Sequence, residues 1–62
     1  MKKTMIKFLK DGAKFKLSIR SKVFWQLQTK YKVDGRKYAT ITATISGITK
    51  NKEVDTVCWI EK

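Results

Sequence analysis

Histidine and proline are absent from this chain of 62 residues, cysteine occurs once, and only five acidic residues stand against fifteen lysines and arginines. Each absence excludes something. A lone Cys58 cannot close an internal disulfide, and without histidine there is no donor set for a structural zinc site. No metal and no cofactor are expected, and Cys58 is read as a small buried residue in a protein of a reducing compartment. The missing histidines and scarce carboxylates also remove the usual general acids and bases, and no nucleophile stands beside an identifiable base. With three glycines, two of them in Asp-Gly pairs, there is no glycine-rich phosphate loop. The chain is not read as an enzyme.

Long apolar runs are missing too. Met5, Ile6, Phe8 and Leu9 are interrupted by Lys7 and stopped by Lys10 and Asp11, so Lys2 and Lys3 do not introduce the apolar segment of a signal peptide. Nothing approaches the ~20 apolar residues of a membrane helix. These features lead to the expectation of a cytoplasmic protein without a membrane role. No convincing helix, repeat, linker or low-complexity segment is present.

A chain this short makes one small domain, residues 1–62, with residues 1–4 expected to be loose. Domains of this size bury only ~60% of their unfolded surface, so stability rests on a small apolar core. A second copy would add buried area, and a homodimer is compatible with everything that follows.

What is present is alternation. Lys14–Arg20 places Phe15, Leu17 and Ile19 on one face and Lys14, Lys16, Ser18 and Arg20 on the other, as a strand does. Residues 22–46 then read as one long hairpin around Asp34-Gly35. A two-residue loop there pairs Leu27 with Thr42 and Trp25 with Thr44, which mixes the faces. A three-residue loop, Val33-Asp34-Gly35, instead pairs Lys32 with Arg36, Lys30 with Tyr38, Leu27 with Ile41, Trp25 with Ala43 and Val23 with Ile45. A one-residue slip turns a strand inside out, so the bulged three-residue turn is favoured. The expected core is Val23, Trp25, Leu27, Ala39, Ile41, Ala43 and Ile45, joined by Phe15 and Leu17. A second turn is expected at Thr49–Lys52, with a last strand from Glu53 to Glu61 that sets Ala43 against Cys58 and Ile41 against Ile60. The fold class is therefore all-β: a small antiparallel barrel or strongly twisted sheet of four to five strands. An SH3-like arrangement is favoured over an OB-like one, which usually needs a longer chain.

This register leaves a second face carrying Phe24, Gln26, Gln28, Lys30 and Lys32, then Arg36, Tyr38 and Thr40 to Thr44 at alternate positions, then Val57 and Trp59. Gln26, Thr42 and Trp59 form one row of it. Whether Met5–Leu9 covers Phe24 and Trp59 as a second small core is left open. If uncovered, these aromatics can stack on bases while amides, hydroxyls and cations meet edges and phosphates.

Charge is unevenly spread. Residues 1–37 hold twelve lysines and arginines against Asp11 and Asp34, a balance of +10, whereas residues 38–62 hold three lysines against Glu53, Asp55 and Glu61, a balance of zero. Such a field draws polyanions without identifying them. Two readings follow. One is a non-catalytic, largely sequence-independent module binding DNA or RNA. It would use Lys14, Lys16, Arg20, Lys22, Lys30, Lys32, Arg36 and Lys37 for phosphates. Phe24, Tyr38 and Trp59 would stack, with Gln26 and Gln28 between them. The other is a small protein-binding modulator or inhibitor, of phage or mobile-element kind, acting on an acidic or DNA-handling protein.

Overall fold

The computed structural model describes residues 1–61. It is all-β, with six strands and one short 3-10 turn: β1 Lys2–Met5, the 3-10 turn Ile6–Phe8, β2 Lys14–Phe15, β3 Trp25–Val33, β4 Arg36–Ala43, β5 Thr49–Glu53 and β6 Val57–Ile60. A curled four-stranded antiparallel sheet has the order β2-β3-β4-β5, and β1 pairs with β6 in a second, two-stranded sheet. Lys16 and Trp59 exchange both backbone hydrogen bonds, each 2.8 Å, and so stitch the two sheets together.

The core lies inside the curl. Ile6, Phe15, Leu27, Ala39, Ile41 and Cys58 are fully buried, with Leu9, Ala43 and Val54 nearly so. Alternation explains β4: Ala39, Ile41 and Ala43 face in, while Tyr38, Thr40 and Thr42 face out. Small Ala39 and Ala43 on either side of Ile41 leave room inside the curl for Leu27 and Phe15.

The hairpin register departs from expectation in an instructive way. Val33 pairs with Arg36, so the turn has two residues, Asp34 (φ 50°) and Gly35 (φ 80°). Both central residues have positive φ, the type I′ geometry whose twist matches that of the strands. Yet Leu27 still pairs with Ile41 and Trp25 with Ala43, because a bulge between Leu27 and Thr29 absorbs one residue, Gln28. The mismatch of faces is thus relieved within β3 rather than at the turn, and the bulge adds curl to the sheet. The ends of the hairpin are correspondingly inverted: beyond the bulge, Tyr31 pairs with Tyr38, Lys30 with Ala39 and Lys32 with Lys37.

Other expectations are corrected. Strand structure in Lys14–Arg20 ends at Phe15, apart from the Lys16 bridge; a turn follows in which the Ser21 amide donates to the Ser18 carbonyl, and Ile19 is exposed. Val23 and Ile45 are exposed, Ile45 at 82%, because β3 and β4 no longer pair beyond Trp25 and Ala43. Trp25 is half-buried against the core, with the Lys50 ammonium 5.6 Å from its ring. Thr49–Glu53 is strand β5 on the edge of β4, not a turn; the reversal comes earlier, at Thr44–Gly47, where Gly47 (φ 75°) donates its amide to the Ala43 carbonyl. Consequently β6 pairs not with β4 but with β1, setting Cys58 opposite Thr4 and Ile60 opposite Lys2. Lys2–Thr4 is strand rather than a loose end. Among the described residues no helix is long and apolar enough to cross a membrane.

Candidate nucleic-acid interface

Cross-strand partners share a face, and this decides where each candidate side chain lies. Phe15 and Cys58 point into the core, so their neighbours Lys16 and Trp59 point outward. On its other side Trp59 pairs with Lys3 of β1. The half-buried indole therefore stands in a row Lys3–Trp59–Lys16 on the outer surface. The Lys16 ammonium reaches 4.9 Å from the ring centroid of Phe24, a cation–π contact on the β3 side of Lys16. One step along, Lys14 pairs with Gln26, and Gln26 with Thr42. The fold thus gathers Lys14, Lys16, Phe24, Gln26 and Trp59 into one outer band. Lys3 joins them unforeseen, since only the long-range β1–β6 pairing reveals it. The band's polar rows are tied down: Gln26 Nε2 donates to the Gly12 carbonyl (3.3 Å), the Thr42 and Thr49 hydroxyls lie 3.3 Å apart, and Thr40 Oγ1 donates to Asn51 Oδ1 (3.0 Å). Glu61 is the acid at its margin, lining a shallow hollow with Lys14, Phe24 and Ile60.

Ile6 and Leu9 do not form a second small core with these aromatics, and Met5 pairs with Val57 beside Trp59. Ile6 and Leu9 enter the main core instead, because the Ile6 and Lys7 amides donate to the carbonyls of Thr56 and Val54 (3.1 and 2.9 Å) and carry the segment over the open end of the curl.

The expected single face does not survive the bulge at Gln28. Lys30 lies opposite buried Ala39, not opposite Tyr38, and Lys32 lies opposite Lys37, so all three lysines are on the inner side of the hairpin. Tyr31, which unbroken alternation from Trp25 and Leu27 would place on the inner side, pairs with Tyr38 on the outer side and stacks on it with ring centroids 5.7 Å apart and planes at 25°. A signal for this existed: a two-residue turn matches Tyr31 with Tyr38 and Thr29 with Thr40, like with like. That row ends in Glu53, paired with Tyr38, whose carboxylate repels phosphate on the β5 side. Arg36 shares the outer side at the hairpin tip, Gln28 is exposed in the bulge, and Arg20 and Lys22 are exposed in the β2–β3 loop. Trp59 shares its row with the two lysines rather than with Gln26 and Thr42.

Among the described residues one ion pair forms, Lys7 to Asp55 at 3.4 Å. The remaining described lysines and arginines have no carboxylate at that range, so nearly all the positive charge stays available to a partner.

Cys58 takes no part in this surface. Burial pushes its thiol up from 9.0 to about 11, since desolvation disfavours the thiolate. A raised folded value means that stability is intact below the unfolded pKa and falls as pH rises from about 9 towards about 11. A thiol-specific chromogenic reagent at neutral pH should therefore leave the folded protein unlabelled and react with one equivalent only in denaturant; rapid labelling of the native state would contradict this burial.

The site and fold together define a small all-β domain with a cationic outer surface bearing two separate aromatic groups. Comparison with protein-family models, with curated proteins and with solved structures finds no match to this chain.

Proposed function

We propose that this domain is a non-catalytic nucleic-acid-binding module with little sequence preference, acting in the cytoplasm, where a reducing environment keeps Cys58 a thiol. The observation that carries this reading is the outer band in which Trp59 and Phe24 alternate with Lys3, Lys16 and Lys14. Lysines at that spacing neutralise successive phosphates and release their counterions, while a half-buried aromatic offers a ring edge or face to a base. Nothing in the band is a rigid recognition element that reads base edges through several side chains, so affinity is expected to track charge and stacking rather than sequence.

A second reading, a protein-binding modulator or inhibitor of phage or mobile-element type acting on an acidic or DNA-handling protein, has one observation in its favour. The Thr44 amide donates to the Phe24 carbonyl (2.9 Å) and brings two loops together, and Val23 and Ile45 flank this junction with exposed aliphatic side chains. Either partner is compatible with a homodimer.

Titrating a generic single strand and a generic duplex at two or more salt concentrations tests the first reading. Phosphate contacts from Lys3, Lys14 and Lys16 predict a log–log salt slope of about −2 or steeper on a single strand. Absence of binding at low salt would rule it out. A stoichiometric acidic protein captured after nuclease treatment would favour the second.

A further inference from the structure

The inner side of the hairpin carries a feature that the outer band does not explain. Lys32 and Lys37 are directly opposed, and Lys30 follows on the same side of β3. Like charges directly opposite each other destabilise a strand pair. The Lys30 ammonium is not free to swing away: it donates to the carbonyls of Lys7 (3.1 Å) and Leu9, which anchors the charge and leaves one of its three donors unused. Lys7 forms the facing wall, and Val54 lies among these lysines in a groove of about 450 Å³. The one acid paired with this cluster, Asp55, is bound to Lys7, so Lys30, Lys32 and Lys37 have no carboxylate at ion-pair range. An adjoining hollow shares Lys7, Lys37 and Val54 and adds Arg36, Glu53 and Asp55.

A cross-strand lysine pair beside an anchored third lysine is unfavourable when empty and favourable around an anion. We propose that this groove is a phosphate-binding site, taking a phosphate monoester or diester group between Lys30, Lys32 and Lys37. Lys30 and Lys32 are two residues apart on one strand, ~6.8 Å, which suits successive groups of an extended phosphate chain better than a compact anion. Assigning that phosphate to a nucleic-acid strand rests on the function proposed above; the site itself does not. On that assignment the strand's phosphates run along the inner groove, which Tyr31 also lines.

The test compares the wild-type protein with Lys32→Gln/Lys37→Gln and with a charge-matched control, Lys2→Gln/Lys10→Gln. The groove variant should fold with a thermal midpoint at or above wild type, because opposed like charges are removed. Its salt slope on a generic single strand should be shallower by about 1.4, at about 0.7 for each of the two phosphate contacts removed, while the control keeps a slope near that of wild type. In a second arm, inorganic tripolyphosphate should shift backbone amide resonances of residues 30–37 in wild type and not in the groove variant. Strand binding with an unchanged slope in the groove variant overturns the groove and leaves the nucleic-acid reading standing. No strand binding, but tripolyphosphate shifts at residues 30–37, supports the groove, overturns the nucleic-acid reading and points to a polyphosphate chain that is not a nucleic acid. Neither signal overturns both.

Discussion

Phe15→Ala is expected to abolish cooperative folding near room temperature or leave it barely measurable. Phe15 is fully buried in a core that, among the described residues, has only nine buried members. Truncating a buried phenylalanine costs about 3–5 kcal/mol, from lost transfer energy and the cavity left behind. A single core in a chain this short supplies roughly the same amount in total. Position adds to volume. Phe15 pairs with Trp25 at the edge of the four-stranded sheet, and the next residue, Lys16, exchanges hydrogen bonds with Trp59 of the two-stranded sheet. Loosening Phe15 therefore frees the seam as well as the interior. Urea unfolding followed by tryptophan fluorescence reads this directly, since Trp25 and Trp59 both border the seam. Ile45→Ala is the contrast: at 82% exposure it should change stability by no more than about 0.5 kcal/mol. A Phe15→Ala protein with a sharp transition near the wild-type midpoint would mean that the core is not organised around this residue.

Trp59→Ala is expected to weaken single-strand binding by roughly 5- to 150-fold, the equivalent of the ~1–3 kcal/mol that one aromatic–base stack contributes. Duplex binding should fall less, because paired bases are not free to stack on a side chain. Trp59→Phe should restore much of the loss. Phe24→Ala should act in the same direction; it also removes the ring that Lys16 lies over, so part of its effect will appear as a changed salt slope. Tyr38→Ala should weaken single-strand binding less than Trp59→Ala, because Tyr38 already stacks on Tyr31 and sits beside Glu53. Fluorescence anisotropy with a labelled single strand and a labelled duplex measures all four, with thermal unfolding to confirm that each variant is folded. If Trp59→Ala binds the single strand as wild type does while Lys14→Gln/Lys16→Gln weakens it, the domain binds phosphates alone and the stacking role is wrong.

Much of this surface is legible in the amino-acid sequence. The charge asymmetry, the hairpin around Asp34-Gly35, and the inward set Leu27, Ala39, Ile41 and Ala43 all follow from local composition and period. Alternation also sets Lys14 and Lys16 on the polar face of one strand and Phe24, Gln26 and Trp59 on the second face of the others, but their meeting in one band depends on the β2–β3 pairing and the Lys16–Trp59 bridge. Trp59 reaches the band through its pairing with Lys3 of β1 and its bridge to Lys16, not through a place beside β4. Ile6 and Leu9 escaped detection as core residues because a strand that turns into a single 3-10 turn shows neither the period of a strand nor that of a helix.

The amino-acid sequence by itself determined the strand character of residues 25–43, which side of most of β4 is apolar, and where the positive charge lies, because side-chain alternation and composition are local properties. Tertiary structure alone decided three things. It decided that β6 pairs with β1, that Lys16 joins the sheets, and that Gln28 bulges so that Lys30 and Lys32 part company with Tyr31. The mismatch between a two-residue turn and the apolar pattern could be relieved at the turn or along the strand, and both solutions satisfy the same alternation. The twist of the type I′ turn and the curl needed to close the sheet over Phe15 favour the second, and those are properties of the whole backbone rather than of any one stretch of it.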